Sequence, residues 1–129
     1  MPRRGAVREG AVAAVLAAVI ALGGAGCSDD SVPARASNGR VKVTLDDFFI
    51  APQRVRADAG RITFDVVNRG SLGHTLRIRS GERLLFGTKT LLPGGSATVS
   101  GTLKPGTYDL VCILGNHEVL GMYGTLTVR

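Results

Sequence analysis

The sequence predicts an all-β chain folded as a Greek-key β-sandwich of seven to eight strands, and three observations carry that prediction. Beyond residue 40, apolar residues recur at every second position, the period of a half-buried strand, rather than every three or four. Turn-forming clusters punctuate the runs: Asp58-Ala59-Gly60, Asn68-Arg69-Gly70, Ser80-Gly81, Pro93-Gly94-Gly95 and Lys104-Pro105-Gly106. No ten-residue amphipathic helical pattern follows Cys27. Short runs between such turns argue for antiparallel strands in two packed sheets.

In chain order, residues 1–26 read as an export signal. Met1–Gly10 carries three arginines, Ala11–Leu22 is an uninterrupted apolar run, and Gly23-Gly24-Ala25-Gly26 forms a small-residue exit. An uncleaved membrane helix is the alternative, because Gly10–Ser28 is uncharged throughout. Cys27 directly after the exit resembles the lipid-modified cysteine of bacterial lipoproteins, which implies lipidation there and attachment to a membrane. Leu22 stands five residues before Cys27 rather than the usual three, so a soluble periplasmic or secreted product stays open. Residues 27–39 are then the lipidated N-terminus and a flexible tether, rich in Ser, Asp, Pro, Asn and Gly. Residues 40–129 form the domain.

Within the domain, Val41, Val43 and Leu45 share one face of a strand. Ile62, Phe64 and Val66 share another, Leu76 and Ile78 a third, Tyr108, Leu110 and Cys112 a fourth, and Leu126 and Val128 a fifth. Gly81–Gly87 reads as a loop with room for one short helical turn. Tyr108, just after the Pro105-Gly106 turn, is placed either as a tyrosine corner or as plain core packing.

Composition narrows the function. The 129 residues suffice for one ordinary domain. A third of the formal net charge of +6 lies in the first ten residues, and the other basic residues are scattered among few aromatics. A nucleic-acid-tracking stripe is therefore not expected. Phosphate-loop, dinucleotide and zinc-protease motifs are absent. No acid/base pair is indicated, so the chain is not expected to be an enzyme.

The soft metal ligands are few and clustered. Apart from Met1 and Cys27, the chain has one Cys, one Met and two His: Cys112, Met122, His74 and His117. Three of the four fall between two predicted strands with C-x4-H-x4-M spacing, and His74 follows the strand at 61–67 through a Gly-bearing turn. Loops at one end of a sandwich converge, so His74 can meet them. Each residue alone has a plainer reading: Cys112 a small buried hydrophobe, His74 a loop histidine, Met122 core filling, or Cys27–Cys112 an exported disulfide. Together those readings leave the spacing as coincidence. Two imidazoles, one thiolate and a weak axial thioether are the donor set of a mononuclear blue-copper centre. Zinc is the rival metal, although Met is an unusual zinc ligand.

The segments Gly106-Thr-Tyr-Asp-Leu-Val-Cys112, His117, and Gly121-Met122-Tyr-Gly124-Thr-Leu-Thr-Val128 resemble the ligand-loop end of the cupredoxins. Asn68…Gly73-His74-Thr75-Leu76 is similar to the family's first-histidine segment, and Phe49–Val67 to its preceding strands. The resemblance implies one type 1 copper site with ligands His74, Cys112, His117 and Met122, and electron transfer as the activity. It also implies that His117 shows its edge to solvent inside an apolar patch, for which Leu72, Leu114, Val119 and Leu120 are the candidates, and that redox proteins dock there. Gly115-Asn116 stands where family members often have Pro-Gly; Asn116 is expected to tolerate a left-handed turn. Thr75 is expected either to tie the two ligand loops together by its hydroxyl or to face water. Glu118 adds a negative charge near the exit, selecting partners or merely solvated.

The resulting expectation is a monomeric one-electron carrier in the cell envelope, without nucleic-acid partners. A copper delivery or sequestration module is the alternative, disfavoured by the absence of spare Met or His ligands.

Overall fold

The structure, a computed structural model, describes residues 32–129. The export signal and Cys27 lie outside the described residues. Among the described residues no helix is long and apolar enough to cross a membrane.

Ten strands run in chain order: β1 (Ala34–Arg35), β2 (Arg40–Asp46), β3 (Phe49–Ala51), β4 (Arg54–Ala57), β5 (Gly60–Asn68), β6 (Arg77–Ser80), β7 (Arg83–Gly87), β8 (Ser96–Leu103), β9 (Gly106–Val111) and β10 (Tyr123–Val128). They form a six-stranded sheet ordered β1-β4-β10-β9-β6-β7 and a four-stranded sheet ordered β3-β2-β5-β8. The all-β sandwich expected from the alternation is present.

The alternation works as burial. Val41, Val43, Leu45, Ile62, Phe64, Val66, Leu76, Ile78, Leu110, Cys112, Leu126 and Val128 are all buried between the sheets. Each large apolar side chain removed from water contributes about 1.5–3 kcal/mol, so this inward set fixes the register of each strand, because a one-residue slip would turn it outward.

Two expectations are corrected. The strands are not all antiparallel and number ten among the described residues: β1 pairs with β4, β4 with β10 and β2 with β5 in parallel. Between β2 and β5 the chain crosses to the other sheet as β4 and returns, and such a crossover is what parallel neighbours require. The segment 81–87 is not a loop with a helical turn. It supplies β7, which folds back on β6 as an antiparallel hairpin with a bulge between Ile78 and Arg79. Gly81 takes the left-handed backbone (φ 57°) that the tight turn needs.

Residues 34–39, within the expected tether, are held against the domain. Ala34 and Arg35 add to β4, the Ala36 N–H donates to the Arg56 carbonyl at 2.8 Å, and Asn38-Gly39 turn the chain into β2 with positive φ at both. The Tyr108 hydroxyl donates to the Lys104 carbonyl at 2.8 Å while its ring packs on the core, which makes it a tyrosine corner.

Register brings several strand ends to one pole. Val111 at the end of β9 faces Tyr123 at the start of β10 and Arg77 at the start of β6. In the other sheet Leu45 of β2 pairs with Asn68 of β5. The loops leaving those ends carry His74, Cys112, His117, Met122 and Asp47.

Candidate metal centre

His74 sits in the loop between β5 and β6, whose shape is dictated by Asn68. That buried amide donates to the carbonyls of Leu72 and Leu91, both at 2.8 Å, and its oxygen accepts the Gly70 N–H at 2.9 Å. His74 then exchanges two backbone bonds with Leu91, at 3.0 and 2.8 Å, which carries its imidazole inward. The side chain has 0% exposure.

Cys112 follows β9 and is buried and free of any disulfide among the described residues. Its backbone N–H donates to the Met122 carbonyl at 3.1 Å, and the Met122 N–H donates to the His117 carbonyl at 3.0 Å. These two bonds close the loop on itself. The loop is wound in successive turns, with the His117 N–H donating to Leu114, Leu120 to Asn116 and Gly121 to Glu118. The left-handed residue before His117 is Gly115 (φ 49°), not Asn116 as expected. Glycine takes that conformation without steric cost, so the turn needs nothing special from Asn116.

The donor atoms converge. One nitrogen from each of His74 and His117 and the sulfur of Cys112 lie within 4.8 Å of one another. His74 Nδ1 and His117 Nδ1 are 3.2 Å apart, and His117 Nδ1 is 3.6 Å from Cys112 Sγ. Met122 is fully buried and joined by its backbone to both Cys112 and His117. Thr75 ties the loops together: its N–H and hydroxyl approach Cys112 Sγ at 3.4 and 3.7 Å, and its hydroxyl oxygen accepts the Ile113 N–H at 3.1 Å. Thr75 is buried, so it does not face water.

Residues 12–128 match the family model described as a cupredoxin-like domain. The chain belongs to the cupredoxin-like family. Among solved structures, this cupredoxin is similar to reduced auracyanin from Roseiflexus castenholzii, with a TM-score of 0.67 and 24% identity over 73% of this chain and 98% of that one. Auracyanin B aligns with a TM-score of 0.65 and 25% identity, over 76% of this chain and 91% of that one. Rusticyanin from Thiobacillus ferrooxidans aligns with a TM-score of 0.58 and 19% identity, over 74% of this chain and 80% of its own. Among curated proteins, the iron uptake system component EfeO of Yersinia pseudotuberculosis is 30% identical over 90 residues, 69% of this chain. EfeO of Escherichia coli K12 is 29% identical over 73 residues, 57% of this chain. This cupredoxin spans only 23% and 20% of those two relatives.

The donor set of the cupredoxin fits one copper ion. Two imidazole nitrogens and a single cysteine sulfur converge, with His74 and Cys112 buried and His117 half-buried, a soft donor set that suits copper. The domain offers one cysteine, so two thiolates cannot bridge a pair of ions.

Three supporting residues have no signature in the sequence. Asp47, in the turn after β2, places its Oδ1 2.8 Å from His74 Nε2, where the carboxylate accepts the N–H of the tautomer protonated at that nitrogen. It also accepts the backbone N–H groups of Ser71 and Leu72 at 3.0–3.1 Å and the Ser71 hydroxyl. The Ser71 hydroxyl, followed by His74, holds the Asp47 carboxyl well below the usual carboxylate range. Phe48, with left-handed backbone (φ 63°), sets its ring edge-on to His117 with centroids 5.3 Å apart. A Cβ on Gly121 would come within 2.6 Å of the Phe48 carbonyl, so a glycine there lets the β2–β3 turn reach the ligand loop. Arg79 grips Glu118 with two hydrogen bonds, at 2.7 and 3.1 Å, and Asp109 with a third. Glu118 is thus neither a free charge nor simply solvated. Residues that act only through a fold-determined neighbour leave no spacing to read.

Of the four apolar patch candidates, Leu72, Val119 and Leu120 are exposed, Val119 at 87%. Leu114 is instead partly buried against the core. Ile113, on the loop that carries Val119 and Leu120, and Phe48, in the β2–β3 turn, add exposed apolar surface.

Proposed function

We propose that this cupredoxin is a one-electron carrier working outside the cytoplasm, with a single type 1 copper ion held by His74, Cys112, His117 and Met122. The observation that supports it most is the convergence of His74 with Cys112 and His117 from loops far apart in sequence. Bound there, copper supplies a couple that gains and loses one electron at a thiolate–imidazole site.

The chain's own residues do the rest. The stiff sandwich and the Thr75 and Asn68 bonds hold the donors in one arrangement, so little has to move when the charge changes. Burial of His74 and Cys112 excludes water from the centre. His117 is only half-buried and stands at the surface side, where exposed Leu72, Ile113, Val119 and Leu120 offer an apolar face to redox partner proteins. An exported chain, lipidated at Cys27 and anchored in a membrane, would keep the domain near such partners.

The similarity to part of EfeO supports a second reading, in which the domain hands metal on rather than electrons. One experiment separates the two. The domain at 32–129 with Cu(II) is expected to turn intensely blue, to lose the colour in Cys112→Ala, and to cycle reversibly at an electrode. A colourless complex overturns the blue-copper reading. Loss of copper to a mild Cu(I) chelator on each reduction favours delivery. Palmitate labelling of the full chain tests Cys27, and an unlabelled, freely secreted product ends the anchor proposal.

A further inference from the structure

The Asp47 carboxylate stands behind the inner histidine and belongs to neither ligand loop. It comes from the β2–β3 turn, in the opposite sheet from Cys112. Its Oδ1 lies 2.8 Å from His74 Nε2, on the far side of the ring from Nδ1, which faces His117 Nδ1. The carboxylate does not swing freely, because Ser71 N–H, Leu72 N–H and the Ser71 hydroxyl all donate to it. Space for this approach is reserved: a Cβ on Gly70 would overlap Asp47 Oδ1 and come within 2.9 Å of His74 Nε2.

We propose that Asp47 is a positioning residue of the metal centre, which holds the His74 imidazole with its Nδ1 lone pair toward the ion and places a full negative charge behind the ring. The proposal rests on the copper reading above for its redox consequence, but not for its structural one. An ionised carboxylate only accepts, so the proton on His74 must sit on Nε2 and the free lone pair on Nδ1. The anion also makes the ring a stronger donor, and an ion of charge +2 gains more from that than one of charge +1. Asp47 therefore favours the oxidised centre and lowers its reduction potential. The plainer role is a staple between the β2–β3 turn and the loop at 69–73, and the two roles make different predictions.

Two measurements decide. In the metal-free domain, nitrogen-15 NMR of labelled histidine is expected to find His74 carrying its proton on Nε2, and Asp47→Leu to shift the ring toward the Nδ1–H form. In the copper-loaded domain, Asp47→Asn removes the charge and keeps an acceptor, whereas Ser71→Ala loosens the staple and leaves the carboxylate on His74. Asp47→Asn is expected to lower the preference for Cu(II) over Cu(I) about tenfold, the smaller end of what partners of metal ligands usually contribute, an upward shift of about 60 mV for one electron. Ser71→Ala is expected to lower the urea midpoint while moving the potential far less. The proposal is overturned by Nδ1–H on His74 in the unmutated domain, by an unchanged potential in Asp47→Asn, or by an equal shift in Ser71→Ala. If Asp47→Leu does not fold, the other two variants still decide. If the domain binds copper without turning blue, the electron-carrier reading fails, while the NMR result still judges Asp47.

Discussion

Thr75 joins the two ligand loops through one hydroxyl, which accepts the Ile113 N–H and points toward the Cys112 sulfur. Thr75→Val keeps the shape and removes both contacts, leaving a half-buried N–H without its acceptor. Such a loss costs about 1–3 kcal/mol, so the urea midpoint of the metal-free domain is expected to fall by that equivalent. An unchanged midpoint would mean that the loops are held together elsewhere. His74, Cys112, His117 and Met122 stood out as candidates in the sequence because Cys, His and Met are scarce in this chain and three of the four lie close together, and the structure brings the donor atoms of His74, Cys112 and His117 to one place. Asp47 and Arg79 were not. Acidic and basic residues are common on any surface, and only the fold shows that one reaches His74 and the other Glu118.

At the scale of elements, β7 shows why a strand can hide. Arg83-Leu84-Leu85-Phe86-Gly87 does not alternate cleanly, because the strand lies at the edge of its sheet and no face of it is fully buried. Its anchor is Phe86, which stacks tilted against Phe64 with centroids 6.2 Å apart and lies over Gly101 of β8. A Cβ on Gly101 would overlap that ring. Gly101→Ala is therefore expected to destabilise by about 1–3 kcal/mol, the usual cost of overpacking, read as a lower melting temperature with the copper site's colour intact. Between β2 and β5, the Arg40 guanidinium grips the Asp65 carboxylate at 2.7–3.2 Å and, with Thr98, holds its pKa below the ordinary carboxylate value. A lowered folded-state pKa contributes stability that is fully present above the unfolded value near 4 and lost as the pH falls through the folded one. Asp65→Asn should lower the urea midpoint at neutral pH and flatten the acid side of its profile against pH, so that variant and unmutated domain converge at low pH. An unaltered slope would show that the pair does not distinguish folded from unfolded chains.

For the whole molecule, the centre is a product of two sheets closing on each other. Metal binding to the folded domain alone stabilises it by mass action, about 2.7 kcal/mol when free metal stands at 100 times its dissociation constant. Copper is thus expected to raise the urea midpoint of the unmutated domain and to leave Cys112→Ala nearly unmoved. An equal rise in both would place the ion elsewhere. The sequence by itself determined the strand class, the inward-facing core and the short list of metal-binding side chains, because periodicity and residue type are local properties of a chain. The parallel pairings, the strand identity of 83–87, the left-handed Gly115 and the carboxylate behind His74 were decided only by the tertiary structure. Each depends on which distant backbone segments come within bonding distance, and a chain acquires those neighbours only when the sheets pack.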